Sequence, residues 1–296
     1  MKRYLLSTVT MAVLVGFAGC GGSSSGSSAD NGGGVDHGNG QVVIDNTQKA
    51  KNSFAVVGNA FEAGDAVNNI DPADFSSTNP LVRALTDVTS GTRNCALDGN
   101  VTYKVQKDSA TVPETTKITL DFSQCSQEAN QVYDGTITFT SRLNQEIKLH
   151  GFEIREDSDI TRYPDMTILV HQLGENVNMK LNGQVTKAKA NTEMQHRLTL
   201  TDFVIDKDAA NTLAIDGHIT LTSNPTTCAD GTYDVNTTER LVLENNGSDP
   251  IDGTVIINGV AYQFNSDKTV TATINGQPVT FDPDQVDDIN CSALPQ

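Results

Sequence analysis

Residues 176–187 read NVNMKLNGQVTK. Val177, Met179 and Leu181 alternate with Asn178 and Lys180, and the run ends in Asn182-Gly183. A period of two puts the apolar side chains on one face of a strand and the polar ones on the other. An Asn-Gly pair supplies the positive φ angles of a tight hairpin turn. The stretch therefore predicts a half-buried strand followed by a turn.

The same reading extends outward in both directions. Towards the N-terminus, Val101, Tyr103 and Val105 alternate with polar residues, as do Ile118, Leu120 and Phe122, then Ile137 and Phe139. Towards the C-terminus come Leu198 and Leu200, Ile219 and Leu221, Val255 and Ile257, Tyr262 and Phe264, then Val270 and Ile274. Further turns are expected at Asp98-Gly99, Asp134-Gly135, Asp216-Gly217, Asp252-Gly253, Asn258-Gly259 and Asn275-Gly276. Five of the pairs open similar phrases: DGNVT at 98, DGTIT at 134, NGQVT at 182, DGHIT at 216 and DGTVI at 252. Such spacing suits a repeat architecture. Hairpins that reuse one turn chemistry also produce it, and that is the reading taken. Residues 93–296 thus form a mainly β domain, a long antiparallel meander with one apolar face. That face must be covered, so the sheet closes as a half-barrel, a barrel or a sandwich.

Residues 41–92 read as one or two helices. Asp45 and Gln48 have the spacing of a capping box, and Ala50, Phe54, Val57, Phe61 and Val67 recur near helical spacing. Asn68, Asn69 and Asp71-Pro72 stop this helix. A second is expected from Asn79-Pro80, with Leu81, Leu85 and Val88 on its apolar face and Gly91 at its end. The helix stripe and the sheet face are each other's natural partners.

The N-terminal end carries export chemistry. Lys2 and Arg3 precede an uncharged apolar run from Leu5 to Ala18, too short for a membrane span of about 20 residues. Phe17, Ala18, Gly19 and Cys20 follow, then Gly21 and Gly22. This segment resembles a bacterial lipobox. The resemblance implies a signal peptide at 1–19, acylation of Cys20 and attachment to the cell-envelope membrane through acyl chains. Gly21 after the cysteine resembles the outer-membrane sorting pattern of bacteria with two membranes. Residues 20–40 are nearly all Gly, Ser, Asn and Asp, a flexible tether spanning about 25 Å.

Composition narrows the function classes. The chain has 37 acidic and 20 basic residues, and cleavage after Gly19 removes two of the basic ones, leaving a net charge of −19. Such a charge argues against nucleic acid as a partner. Lack of Trp, few aromatics and the non-aromatic end Ser292–Gln296 argue against a transmembrane barrel. Four cysteines remain in the exported part, Cys95, Cys125, Cys228 and Cys291, an even number that reads as disulfides. Of three connectivities, the nearest-neighbour pairing Cys95–Cys125 and Cys228–Cys291 is expected. A Cys₄ metal site would want a C-x-x-C pair, and the sequence has none.

No residues present a catalytic, metal or cofactor motif. Gly22–Gly26 fits G-x-S-x-G by letter but lies in the tether, without the strand and helix that a nucleophile elbow requires. Among the histidines, His37 lies in the tether, and His150 and His218 fall on the polar phase. His196 is in phase with Met194, Leu198 and Leu200 and so points inward, near Glu193 and Asp202. Acidic clusters at Glu156–Asp159 and at Asp282, Asp284, Asp287 and Asp288 lack the glycine and terminal glutamate of a calcium loop and read as solvated loops. Asn100, Asn236 and Asn246 sit in acidic-x-Asn-x-Ser/Thr patterns that some bacteria glycosylate, although turn composition alone groups these residues. The expected function is a non-catalytic envelope protein, a scaffold or a binder of an apolar ligand or an envelope protein. A sheet curled round the first helix would resemble, in architecture, the half-barrels of periplasmic lipoprotein carriers and their outer-membrane acceptors. A hydrolase with a spatially assembled site is the alternative class.

Overall fold

The structure, a computed structural model, describes residues 40–68, 90–108, 115–141, 145–173, 176–190, 192–244, 249–286 and 289. Helix α1 spans Thr47–Asn68. In chain order the strands are β1 (Ser90–Asn94), β2 (Asp98–Asp108), β3 (Thr115–Glu128), β4 (Gln131–Ser141), β5 (Gln145–Glu156), β6 (Asp159–Leu173) and β7 (Asn176–Lys189). They continue as β8 (Gln195–Lys207), β9 (Thr212–Asn224), β10 (Gly231–Leu243), β11 (Pro250–Ile257), β12 (Val260–Phe264), β13 (Val270–Ile274) and β14 (Gln277–Phe281). Each strand pairs with the next in one antiparallel sheet whose edges are β1 and β14. The expected meander is present. Because the single sheet stays open, the closed barrel and the two-sheet sandwich are set aside.

Asn46 caps α1, its Oδ1 accepting from the Lys49 backbone N–H at 2.9 Å. This corrects the expected Asp45–Gln48 capping box. Asp45 instead pairs with the Lys49 ammonium at 2.9 Å, and Gln48 donates to Asn52. The second helix expected from Asn79 lies outside the described residues. Gly91, read as its stop, belongs to β1, so the β domain begins at Ser90, within the segment assigned to helices.

The helix lies against the apolar face of the sheet. Ala50, Val56, Ala60, Phe61 and Ala63 are buried in a core that also takes side chains from β2 through β14. Phe54 packs its ring against Tyr262, Phe264 and Phe281 at 5.6–6.4 Å between centroids. Tyr262 donates to the Ala50 carbonyl at 3.1 Å, and Tyr163 to that of Ala63 at 3.2 Å. Burial pushes the Tyr262 hydroxyl above its ordinary pKa, which keeps it protonated as a donor. Phe54 meets β14 and Ala63 meets β6, only roughly 14 Å apart along the helix. In a flat sheet β6 and β14 would lie roughly 38 Å apart. Even with side-chain reach at both ends, the sheet must curl around α1.

Curling has an identifiable cause. Asn258-Gly259 and Asn275-Gly276 form tight turns, β11–β12 and β13–β14, as expected. The other five pairs are not turns. Gly99, Gly135, Gly183, Gly217 and Gly253 lie inside β2, β4, β7, β9 and β11 with positive φ. Each sits at or next to a β-bulge, an extra residue on the neighbouring strand. Asp134 and Thr136 oppose Glu153 and His150, and His218 and Asp216 oppose Thr201 and Val204. Bulges bend strands and strengthen twist, so this seam coils the sheet. The residue before the glycine repairs the broken ladder. Asp134, Asn182 and Asp216 accept from the backbone N–H groups of Gln124, Asp202 and Thr237 at 2.8–3.1 Å. The phrase repeat is therefore one bulge unit used five times. Both a tight turn and a bulge need positive φ, so the letters alone favour neither.

The Cys95–Cys125 disulfide forms as expected, with Cα atoms 5.5 Å apart, and ties the loop before β2 to the end of β3. Cys228, between β9 and β10, is also disulfide-bonded. Cys291, the partner expected for it, lies outside the described residues. Non-reducing peptide mapping should recover a Cys228–Cys291 linked peptide. A Cys20–Cys228 link would instead mean that the lipidation reading is wrong.

Candidate functional site

The concave face of the sheet is occupied. Between α1 and β9–β12 remains an apolar cavity of about 40 Å³, walled by Phe54, Phe61, Leu213, Leu241, Ile257 and Tyr262. That is far below the roughly 300–1,000 Å³ of ordinary ligand pockets.

A larger cleft of about 450 Å³ opens beside α1, over β6, β7 and the start of β8. Asn59 and Glu62 come from the helix, and Lys187 reaches them from β7. Its ammonium donates to Asn59 Oδ1 at 2.8 Å and to Glu62 Oε2. The pair is only partly shielded, with side chains 25 % and 35 % exposed for Lys187 and Glu62. Asp159 opposes Lys189 across the β6–β7 ladder, and both line the cleft. Ile160, Met194, Leu198 and Ile289 add apolar surface. The cleft thus carries both charge signs beside an apolar wall.

His196 lines this cleft on the same face as Leu198, as its phase predicts. Its sequence neighbours do not hold it. Asp202 pairs with Lys180 at 2.9 Å, and that contact, with its hydrogen bond, holds the Asp202 carboxyl below its ordinary pKa. His196 Nδ1 instead meets Ser223 Oγ at 2.9 Å. Ser223 continues to Thr227 at 3.3 Å, and Asp230 accepts from the Thr227 hydroxyl and the Ser223 N–H. A nucleophile must be reachable by substrate. Ser223 is 5 % exposed and lies outside the cleft lining, so the contact orients His196 rather than activating the serine.

The remaining sequence candidates lie apart. His150, His171 and His218 are exposed, and His218 pairs with Asp234 at 2.6 Å. Asp157 makes the β5–β6 turn with φ of 51°, and Asp282 caps a short 3-10 turn at Pro283–Gln285. Asn100 and Asn236 lie within β2 and β10. Cys20, His37, the 22–26 motif, Asn246, Asp287 and Asp288 lie outside the described residues. Among the described residues no group of three His, Cys, Asp or Glu is arranged to hold a metal ion, and no helix is long and apolar enough to cross a membrane.

No family model matches this sequence, and no curated protein or solved structure matches it. The cleft therefore has to be read from its own chemistry. Sequence reasoning missed Asn59, Glu62 and Lys187. Lys187 had a signal, since it shares the inward phase of Val185, and a charge in an apolar phase needs a partner. Nothing in the strand pattern points to Glu62, which the helix supplies.

Proposed function

We propose that the chain is an exported envelope protein of non-catalytic type, anchored through acylated Cys20 and acting as a binding scaffold held off the membrane by its tether. The observation that carries this reading is the occupied concavity. A carrier of a whole apolar ligand needs a hollow interior, and here α1 packs into the concavity, leaving about 40 Å³ between it and β9–β12. Recognition is then left to the surface and to the cleft beside the helix. The hydrolase alternative finds its best support in the His196–Ser223 contact, and burial of Ser223 weighs against it.

Cys20→Ser tests the anchor. The wild-type chain should sediment with membranes, with the outer fraction in a two-membrane host, and should carry acyl mass on an N-terminal Cys20. The variant should appear in the soluble fraction. Retention of the variant in the membrane would overturn the lipid anchor.

A further inference from the structure

We propose that the cleft beside α1 binds a small zwitterion, a primary ammonium a few bonds from a phosphate, presented as the phosphoethanolamine headgroup of a membrane lipid. The membrane source rests on the anchored reading above; the site itself does not.

The charges argue for a zwitterion. Lys187 and Lys189 stand two residues apart on β7, and each faces a carboxylate, Glu62 and Asp159 respectively. A ligand with only negative charge would meet both carboxylates, and one with only positive charge would meet both ammonium groups. A ligand carrying both signs can lay each against its opposite. The field of the whole molecule points the same way: a net charge of −19 on the exported part repels anions, whereas a neutral zwitterion enters without that penalty. Thr161 adds a hydroxyl suited to a phosphate oxygen. Met194 and Leu198 offer apolar surface to the carbon skeleton beyond the phosphate. The volume, about 450 Å³, lies within the range of small-ligand sites.

The position argues for a membrane source. Strand registers set the start of β6, the end of β7, the start of β8, the end of β9 and the start of β10 along one rim. Asp159 opposes Lys189, Ala188 opposes Gln195, Gln195 opposes Asn224, and Leu221 opposes Gly231. The chain arriving from the tether docks on this rim. Val42 donates to Thr232, and Thr232 to Gly40, both at 3.1 Å, and Asn258 holds the Val42 carbonyl at 2.9 Å. The cleft and Gly40, where the described chain begins, therefore lie at the same end of the sheet, within the tether's reach of the anchoring surface.

Calorimetric titration of the full-length protein in uncharged detergent tests the site. Glycerophosphoethanolamine, whose phosphodiester leaves it a neutral zwitterion like the lipid headgroup, should bind at least tenfold more tightly than glycerophosphoglycerol or ethanolamine, each of which lacks one of its two charges. Glu62→Gln and Lys187→Gln should each weaken it at least tenfold. Lys189→Gln, at an exposed position that cannot disturb the core, should weaken it several-fold. Lys180→Gln, on the outer face, should leave it unchanged. Nanodiscs containing phosphatidylethanolamine should bind more tightly than nanodiscs of phosphatidylcholine alone, which carry the same two charges without a primary ammonium. Absence of glycerophosphoethanolamine binding, equal affinity for the single-charge compounds, or indifference to Lys187→Gln and Lys189→Gln would overturn the proposal. Binding of the free headgroup without preference among nanodiscs would overturn the membrane source alone. The Cys20→Ser fractionation decides the anchor independently, so either reading can fail without the other.

Discussion

Phe61→Ala is expected to lower the thermal midpoint by roughly 6–20 °C in a form of the protein starting at Gly40. Phe61 is 2 % exposed and sits between α1 and strands β9–β12. Truncating a buried Phe to Ala costs about 3–5 kcal/mol, from lost burial and from the hole left behind. For a domain of this size each kcal/mol shifts the midpoint by about 2–4 °C. The site already borders a small void, so the neighbouring side chains have little means of closing a larger one. Differential scanning calorimetry of both proteins checks the shift. An unchanged midpoint would mean that α1 leaves the concavity in solution, which would revive the carrier reading.

Gly135→Ala should be as damaging through a different cause. Gly135 has a φ of 92°, where a side chain is strained by about 1–3 kcal/mol. A Cβ there would also strike the Gly151 carbonyl oxygen across the β4–β5 ladder. Backbone cannot rotate aside as a side chain can, and forced overpacking adds about 1–3 kcal/mol. Together these give about 2–6 kcal/mol. Gly151→Ala is the informative comparison, because Gly151 also has positive φ, 56°, but open space where its Cβ would lie. It should cost only the left-handed strain of about 1–2 kcal/mol. Equal losses in urea melts of the two variants would mean that the bulge seam is not tightly packed.

The meander was legible because its alternation survives in short runs such as Val177, Met179 and Leu181. Its curvature was not. On β5 the buried series runs Ile147, Leu149 and then Phe152, Ile154; on β8 it runs Leu198, Leu200 and then Phe203, Ile205. Each bulge shifts the inward phase by one residue, so a strict period of two loses the second half of the strand. The Asp-Gly and Asn-Gly pairs announced positive φ correctly, and only the strand around them distinguishes a turn from a bulge. The Cys95–Cys125 pair followed from proximity in sequence. The cleft was largely hidden, since Glu62 and Lys187 are 125 residues apart and meet only when the sheet wraps the helix.

The order of the strands also sets a timetable for the chain. Every strand pairs with its immediate successor, so the sheet can lengthen hairpin by hairpin as the polypeptide emerges, without waiting for a distant partner. The helix cannot. Phe54, near the beginning, takes its aromatic neighbours from Tyr262, Phe264 and Phe281, near the end. Until the chain is complete the nascent domain would carry α1 without its final cover, and arrival of β12–β14 would seal it. Only a chain made in full can bury its first helix, so a truncated product would display the apolar stripe of α1 to proteases and to other unfolded chains.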